Sequence, residues 1–171
     1  MEILGIIVAV TVITALVLRD PQRAKARAKA ADAHIPSLTP LAESLDGKVL
    51  GPGEASAWSP ALQRALHKPG LTLEFQCGPW RVRVTEASLV RGPLFGAGQV
   101  FFEQWIEVAT IPLAQRRVRL EFFTLDFEDG FVHTESSGPI RPDELLFGVD
   151  MILETLDLIP GVEPRNPAAA L

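Results

Sequence analysis

The chain has 171 residues, with 16 Lys and Arg against 21 Asp and Glu, and one cysteine, Cys77. A net charge of −5 makes the chain as a whole a poor binder of polyanions. A lone cysteine excludes an internal disulfide and fits a reducing compartment.

Charge and apolar residues are unevenly spread. Ile3 to Leu18 is a run of 16 residues with no charged side chain. As a helix it would span about 24 Å, somewhat short of a hydrocarbon core of about 30 Å. Met1 can extend the run, and the stem of Arg19 can snorkel at the other end. A cleaved signal peptide calls for a basic stretch before the run, and only the amino terminus and Glu2 stand there. A core helix of a soluble domain calls for a polar face, and Ile6-Ile7-Val8 and Val10-Thr11-Val12-Ile13 leave little room for one. Residues 1–19 therefore read as a single transmembrane anchor.

Arg19, Arg23, Lys25, Arg27 and Lys29 follow at once. The positive-inside rule puts the amino terminus outside and the following domain in the cytoplasm, at the inner membrane of a cell. Arg outnumbers Lys by 12 to 4, a bias that resembles GC-rich bacterial genomes. Residues 20–36 read as a basic juxtamembrane helix whose five cations meet anionic headgroups. Their spread around the helix argues against a nucleic-acid-binding arm.

Residues 37–162 read as one α+β domain, and 163–171 as a flexible tail. From residue 34 onward there are 11 Lys and Arg against 18 Asp and Glu, a net of −7. Thr39-Pro40 has the form of an N-cap with proline at the first helical position, ending at Gly47. Lys48 to Leu50 is a brief strand. Ser59-Pro60 repeats the cap signal for a short helix stopped by Pro69-Gly70.

Alternation then takes over. Leu71, Leu73, Phe75 and Cys77 alternate with polar residues, as do Trp80, Val82 and Val84. A turn at Gly78-Pro79 sets Phe75 opposite Val82, Leu73 opposite Val84, Glu74 opposite Arg83 and Gln76 opposite Arg81. Gly92 to Gly98 is a loop. Val100, Phe102, Ile106 and Val108 share one face of a long strand, while Phe101, Glu103, Trp105 and Glu107 share the other. Arg117 to Phe127 is a further strand, turned back at Asp129-Gly130 into Phe131–Glu135. The whole is an antiparallel meander of at least four strands. Leu145, Leu146, Val149, Ile152, Leu153 and Leu156 form one face of a C-terminal helix, which packs on the sheet to give a two-layer domain.

Few residues carry chemistry. The three histidines, at 34, 67 and 133, share no metal-ligand spacing, so no metal site and no cofactor is expected. The Asp126–Asp129 run before Gly130 lacks EF-hand spacing. Gly92, Gly96 and Gly98 lack the Lys-Ser/Thr and the following helix of a phosphate loop. In a hairpin turned at Asp129-Gly130, Asp126 would face His133, the orienting half of a general-base pair. No G-x-S-x-G elbow accompanies them.

The leading expectation is a membrane-anchored domain that binds or scaffolds a protein partner through Phe101, Glu103, Trp105 and Glu107, rather than an enzyme or a nucleic-acid binder. From Glu121 to Glu163 there are 11 acidic residues and one basic one, which suits a basic partner. The alternatives are a membrane-tethered, hydrolase-like enzyme using Asp126 and His133, and a domain binding a small ligand or lipid at the aromatic face of the sheet.

Overall fold

A computed structural model describes residues 2–59, 68–91 and 99–165, with the side chains of 1–20, 22, 23, 68 and 89–91 also outside the description. Helix α1 (Glu2–Ser44) is followed by β1 (Lys48–Leu50), β2 (Lys68–Cys77), β3 (Trp80–Arg91), β4 (Gln99–Arg119), β5 (Thr124–Ser137) and helix α2 (Pro142–Asp157). The strands form one antiparallel sheet in the order β1-β2-β3-β4-β5. The protein is thus α+β, with five strands. The anchor expected over residues 1–19 falls where side chains are not described. Among the described residues no helix is long and apolar enough to cross a membrane. The short helix expected after Ser59 and the Gly92–Gly98 loop lie outside the described residues.

Helix α1 does not restart at Thr39. It runs through Pro21, Pro36 and Pro40. Each proline removes one N–H from the helical ladder. Pro36 and Pro40 sit on the exposed side, where water can take the carbonyls left over. The Thr39 hydroxyl donates back to the Ile35 carbonyl at 2.9 Å, so it serves inside the helix and caps nothing. Ala31, Leu38 and Ala42 form the buried stripe, flanked by Leu41 and Leu45. His34 on the same side bonds the buried Glu86 carboxylate at 2.9 and 3.0 Å. Glu86 also accepts the Ile140 N–H at 2.9 Å, so one carboxylate ties α1 and the approach to α2 to the sheet.

The helix stops at a Schellman turn. The Gly47 N–H reaches the Ala42 carbonyl at 2.8 Å and the Asp46 N–H reaches the Glu43 carbonyl at 3.3 Å. Asp46 takes the left-handed conformation, φ +49°. Gly47 is required for closeness. A Cβ there would lie 2.5 Å from the Glu74 carbonyl oxygen and 2.9 Å from the Phe75 Cβ. Gly47→Ala is expected to cost about 1–3 kcal/mol through that overlap, read as a lowered urea midpoint at unchanged slope.

The β2–β3 hairpin has the register read from alternation: Leu73 opposite Val84, Phe75 opposite Val82, Glu74 opposite Arg83, Gln76 opposite Arg81. Gly78 has φ +56°, and Pro79 is held to negative φ by its ring. That sign pattern is the one a type II′ turn needs. Leu71, Leu73, Phe75, Val82, Val84, Ile106, Val108 and Val132 face the core. Leu145, Val149, Ile152, Leu153 and Leu156 of α2 are buried in the same core. Leu146, the sixth residue of the expected stripe, is exposed.

The second hairpin differs from expectation. β4 and β5 are joined at residues 120–123, where the Leu120 N–H meets the Phe123 carbonyl at 2.9 Å. Asp129-Gly130 lies inside β5, and Gly130 takes φ +84° there. The register slips between Ala109 and Pro112 and again between Pro112 and Arg116. Bulges bend a ribbon and tolerate a proline. The Asp-Gly pair therefore serves a bend in place of a turn. Beside it the segment after α2 joins the sheet: the Ile111 N–H donates to the Glu163 carbonyl at 3.0 Å and the Arg165 N–H to the Ala109 carbonyl at 3.3 Å.

Candidate functional site: a charged row on the second face

The face away from the helices is polar and nevertheless buried. Thr72, Glu74, Arg83, Thr85, Glu107 and His133 are all buried there, with Ala87 and Trp105. Register aligns five of its residues in one row: Lys48 opposite Glu74, Glu74 opposite Arg83, Arg83 opposite Glu107, Glu107 opposite His133. The row crosses every strand. Its ionic residues alternate in sign from Lys48 to Glu107, which is the favourable cross-strand arrangement. Glu74 receives Lys48 Nζ at 3.2 Å and Arg81 at 3.6 Å, and is paired directly with Arg83.

Residues 51–59 form a strap over this face. Glu107 accepts the Trp58 N–H at 3.0 Å and the Ser59 N–H at 2.7 Å, one on each oxygen. Arg83 donates to the Ser56 carbonyl at 3.0 Å. The Trp58 ring lies 4.7 Å from the Arg81 guanidinium and 4.6 Å from that of Arg83, a cation–π arrangement. It also meets the Phe131 ring at 5.7 Å. Ala57 packs with Ala87 and Trp105.

Burial pushes the Glu107 carboxyl up from 4.5 to about 7, against the opposing pull of the Ser59 and Trp58 N–H groups and Arg83. Glu128 adds to the rise. Burial also lowers the Arg83 guanidinium, with Glu107 opposing it.

The backbone does not pair Asp126 with His133. Asp126 is opposite Arg117, and His133 is opposite Glu107. This corrects the expected hairpin, and its cause is the bend at Gly130. The side chains still approach: His133 Nε2 is 3.9 Å from Asp126 Oδ2, and Nδ1 is 3.4 Å from Glu128 Oε1. Arg117 holds both oxygens of Asp126, at 2.5 and 3.1 Å. Burial lowers the His133 imidazole, opposed by Glu128, Asp126 and Glu135. The ring therefore favours its neutral form between two carboxylates. A groove of about 370 Å³ opens beside Asp126, lined also by Arg117, Arg119, Thr124, Glu135 and Ser136. Among the described residues no group of His, Cys, Asp and Glu could hold a metal ion.

The four β4 residues expected on an exposed face divide. Phe101 is 42% exposed and Glu103 is half-buried, whereas Trp105 is 1% exposed and Glu107 is fully buried. The strap is why: it packs on Trp105 and donates to Glu107. Of the basic juxtamembrane residues, Lys25 and Lys29 are exposed and Arg27 is half-buried on α1. The side chains of Arg19 and Arg23 lie outside the description. Trp58 and the depth of Glu107 are not apparent from sequence, whereas the Glu74–Arg83 and Gln76–Arg81 pairings and the alternation from Phe101 to Glu107 mark this face.

No protein-family model, no curated protein and no solved structure matches the chain.

Proposed function

We propose that this is a single-pass membrane protein whose α+β domain, on the cytoplasmic side, binds or scaffolds a protein partner. One observation carries the reading: α1 continues from the apolar segment into the core without a break. A domain joined in this way is held at a set distance from the anchor rather than hung on a loose linker. The surface offered to a partner includes Phe101 and Glu103 on β4, while Trp105 and Glu107, farther along the same face, lie buried under the strap.

Two measurements test this. The full chain should resist extraction from membranes at alkaline pH, and a chain lacking residues 1–19 should not. Affinity capture in mild detergent should yield a stoichiometric protein that Phe101→Ala loses. Extraction of the full chain would remove the anchor, and capture of nothing would remove the scaffold.

The 3.9 Å approach of Asp126 to His133 favours a second reading, a tethered hydrolase with the adjoining groove as its substrate site. It carries less weight, because Arg117 occupies Asp126 and Glu128 faces the other ring nitrogen. A hydrolytic activity lost in His133→Ala would reverse that order.

A further inference from the structure

Helix α2 has a second face that the core does not use. Asp143, Phe147, Asp150, Glu154 and Leu158 recur at i, i+4, i+7, i+11 and i+15, which is one stripe of a helix. All five are exposed. Phe147 is 70% exposed and Leu158, just past the helix end, 82%. Two large apolar side chains therefore stand in water, set among three carboxylates.

Charge narrows what can cover them. Between Pro142 and Pro164 there is no Lys or Arg. Arg141, at the helix start, is taken by Glu144 at 2.5 Å. A second copy docking by the same stripe would set carboxylate against carboxylate, which is strongly disfavoured. An anionic membrane surface or a nucleic acid meets the same repulsion. A helix with Lys or Arg beside large apolar residues fits both elements of the stripe. Its apolar side chains would bury Phe147 and Leu158, and its cations would face Asp143, Asp150 and Glu154.

We propose that the outer stripe of α2 docks a basic amphipathic helix of a partner protein. The proposal rests on the partner-binding reading above and names the chemistry of that partner.

The test is site-specific photocrosslinking in the native membrane with the full chain. p-Benzoylphenylalanine replaces Phe147 in one sample and Phe101 in another. The expected result is a crosslink from position 147 to a protein segment of net positive charge. Its yield should fall at least tenfold when Asp150→Lys and Glu154→Lys are added. Both are exposed, and an unchanged thermal melt would show that the fold survives them. A crosslink to lipid, to a second copy or to a segment without basic residues would overturn the proposal. So would no crosslink at all, or a yield indifferent to the charge reversal. A partner crosslinked from position 101 alone would leave the scaffold reading standing and remove this one. Silence at both positions would remove both.

Discussion

Glu107→Ala is expected to lower the unfolding free energy by about 2–5 kcal/mol, chiefly by leaving two N–H donors of the strap unmet. The loss has identifiable parts. The Trp58 and Ser59 N–H groups lose their acceptors, and a buried donor left unmet costs about 1–3 kcal/mol. Arg83 keeps Glu74 but loses the charge opposite it in the row. Urea titration of the purified protein would measure the loss. The same residue shapes the pH dependence. Its carboxyl titrates near 7 in the fold against 4.5 in an ordinary setting. Between those values the folded state keeps a proton that the unfolded chain has released. Stability should therefore be fully supported below about pH 4.5, fall as pH rises through the window and level off above 7, a change on the order of 3 kcal/mol. His133 acts in the opposite direction. Its lowered affinity for protons means that stability falls as pH drops below its ordinary range, because the unfolded chain takes up the proton more readily. Glu107→Gln should abolish the decline toward pH 7 and leave the His133 trend visible. A decline that persisted in Glu107→Gln would assign it to another group.

Trp105→Ala should be comparably damaging, about 3–5 kcal/mol for truncating a buried aromatic. The indole is 1% exposed and packs with Ala57 and Ala87, so truncation opens a cavity between strap and sheet. Phe101→Ala, four residues earlier on the same face, removes a 42% exposed ring. It should cost about 1 kcal/mol, well below the Trp105 loss, because a little over half of the ring is covered and full burial of a Phe is worth about 1.5–3 kcal/mol. The two variants, melted side by side, separate a surface residue from a structural one. Equal losses would mean that Phe101 is buried in the working protein. Only the Phe101 variant is suited to testing partner capture, because Trp105→Ala would lose a partner by unfolding the site.

What could be read in advance was what local pattern decides. Alternation over Leu71–Val84 fixes the β2–β3 register, since a one-residue slip would turn Leu73 and Phe75 to the wrong face. The α2 stripe is equally local. The misread elements depended on contacts from elsewhere. The β4–β5 turn has no Gly, Asn or Pro between Arg119 and Thr124, while Asp129-Gly130 carries the strongest hairpin signal and is spent on a bend. Thr39-Pro40 looked like a helix start because nothing local reveals that Ala31, Leu38 and Ala42 share one continuous buried stripe. The candidate site was least legible of all. Its burial comes from a strap with glycines at 51 and 53 and a proline at 52, whose path no periodicity specifies.

The strand order has a consequence for how the molecule is made. Because the five strands pair with their neighbours in sequence, the sheet can close hairpin by hairpin as the chain leaves the ribosome, and only the pairing of Ala109–Ile111 with Glu163–Arg165 among the described residues waits for a distant segment. The two helices break that economy. The Ala31–Ala42 stripe of α1 is synthesised well before the β2 and β3 residues that cover it, and α2 arrives after every strand is complete. During that interval Val84, Ile106 and Val108 have a sheet but only part of their cover. The open apolar face is where a chaperone would hold the nascent protein, and where release late in synthesis would expose it to aggregation.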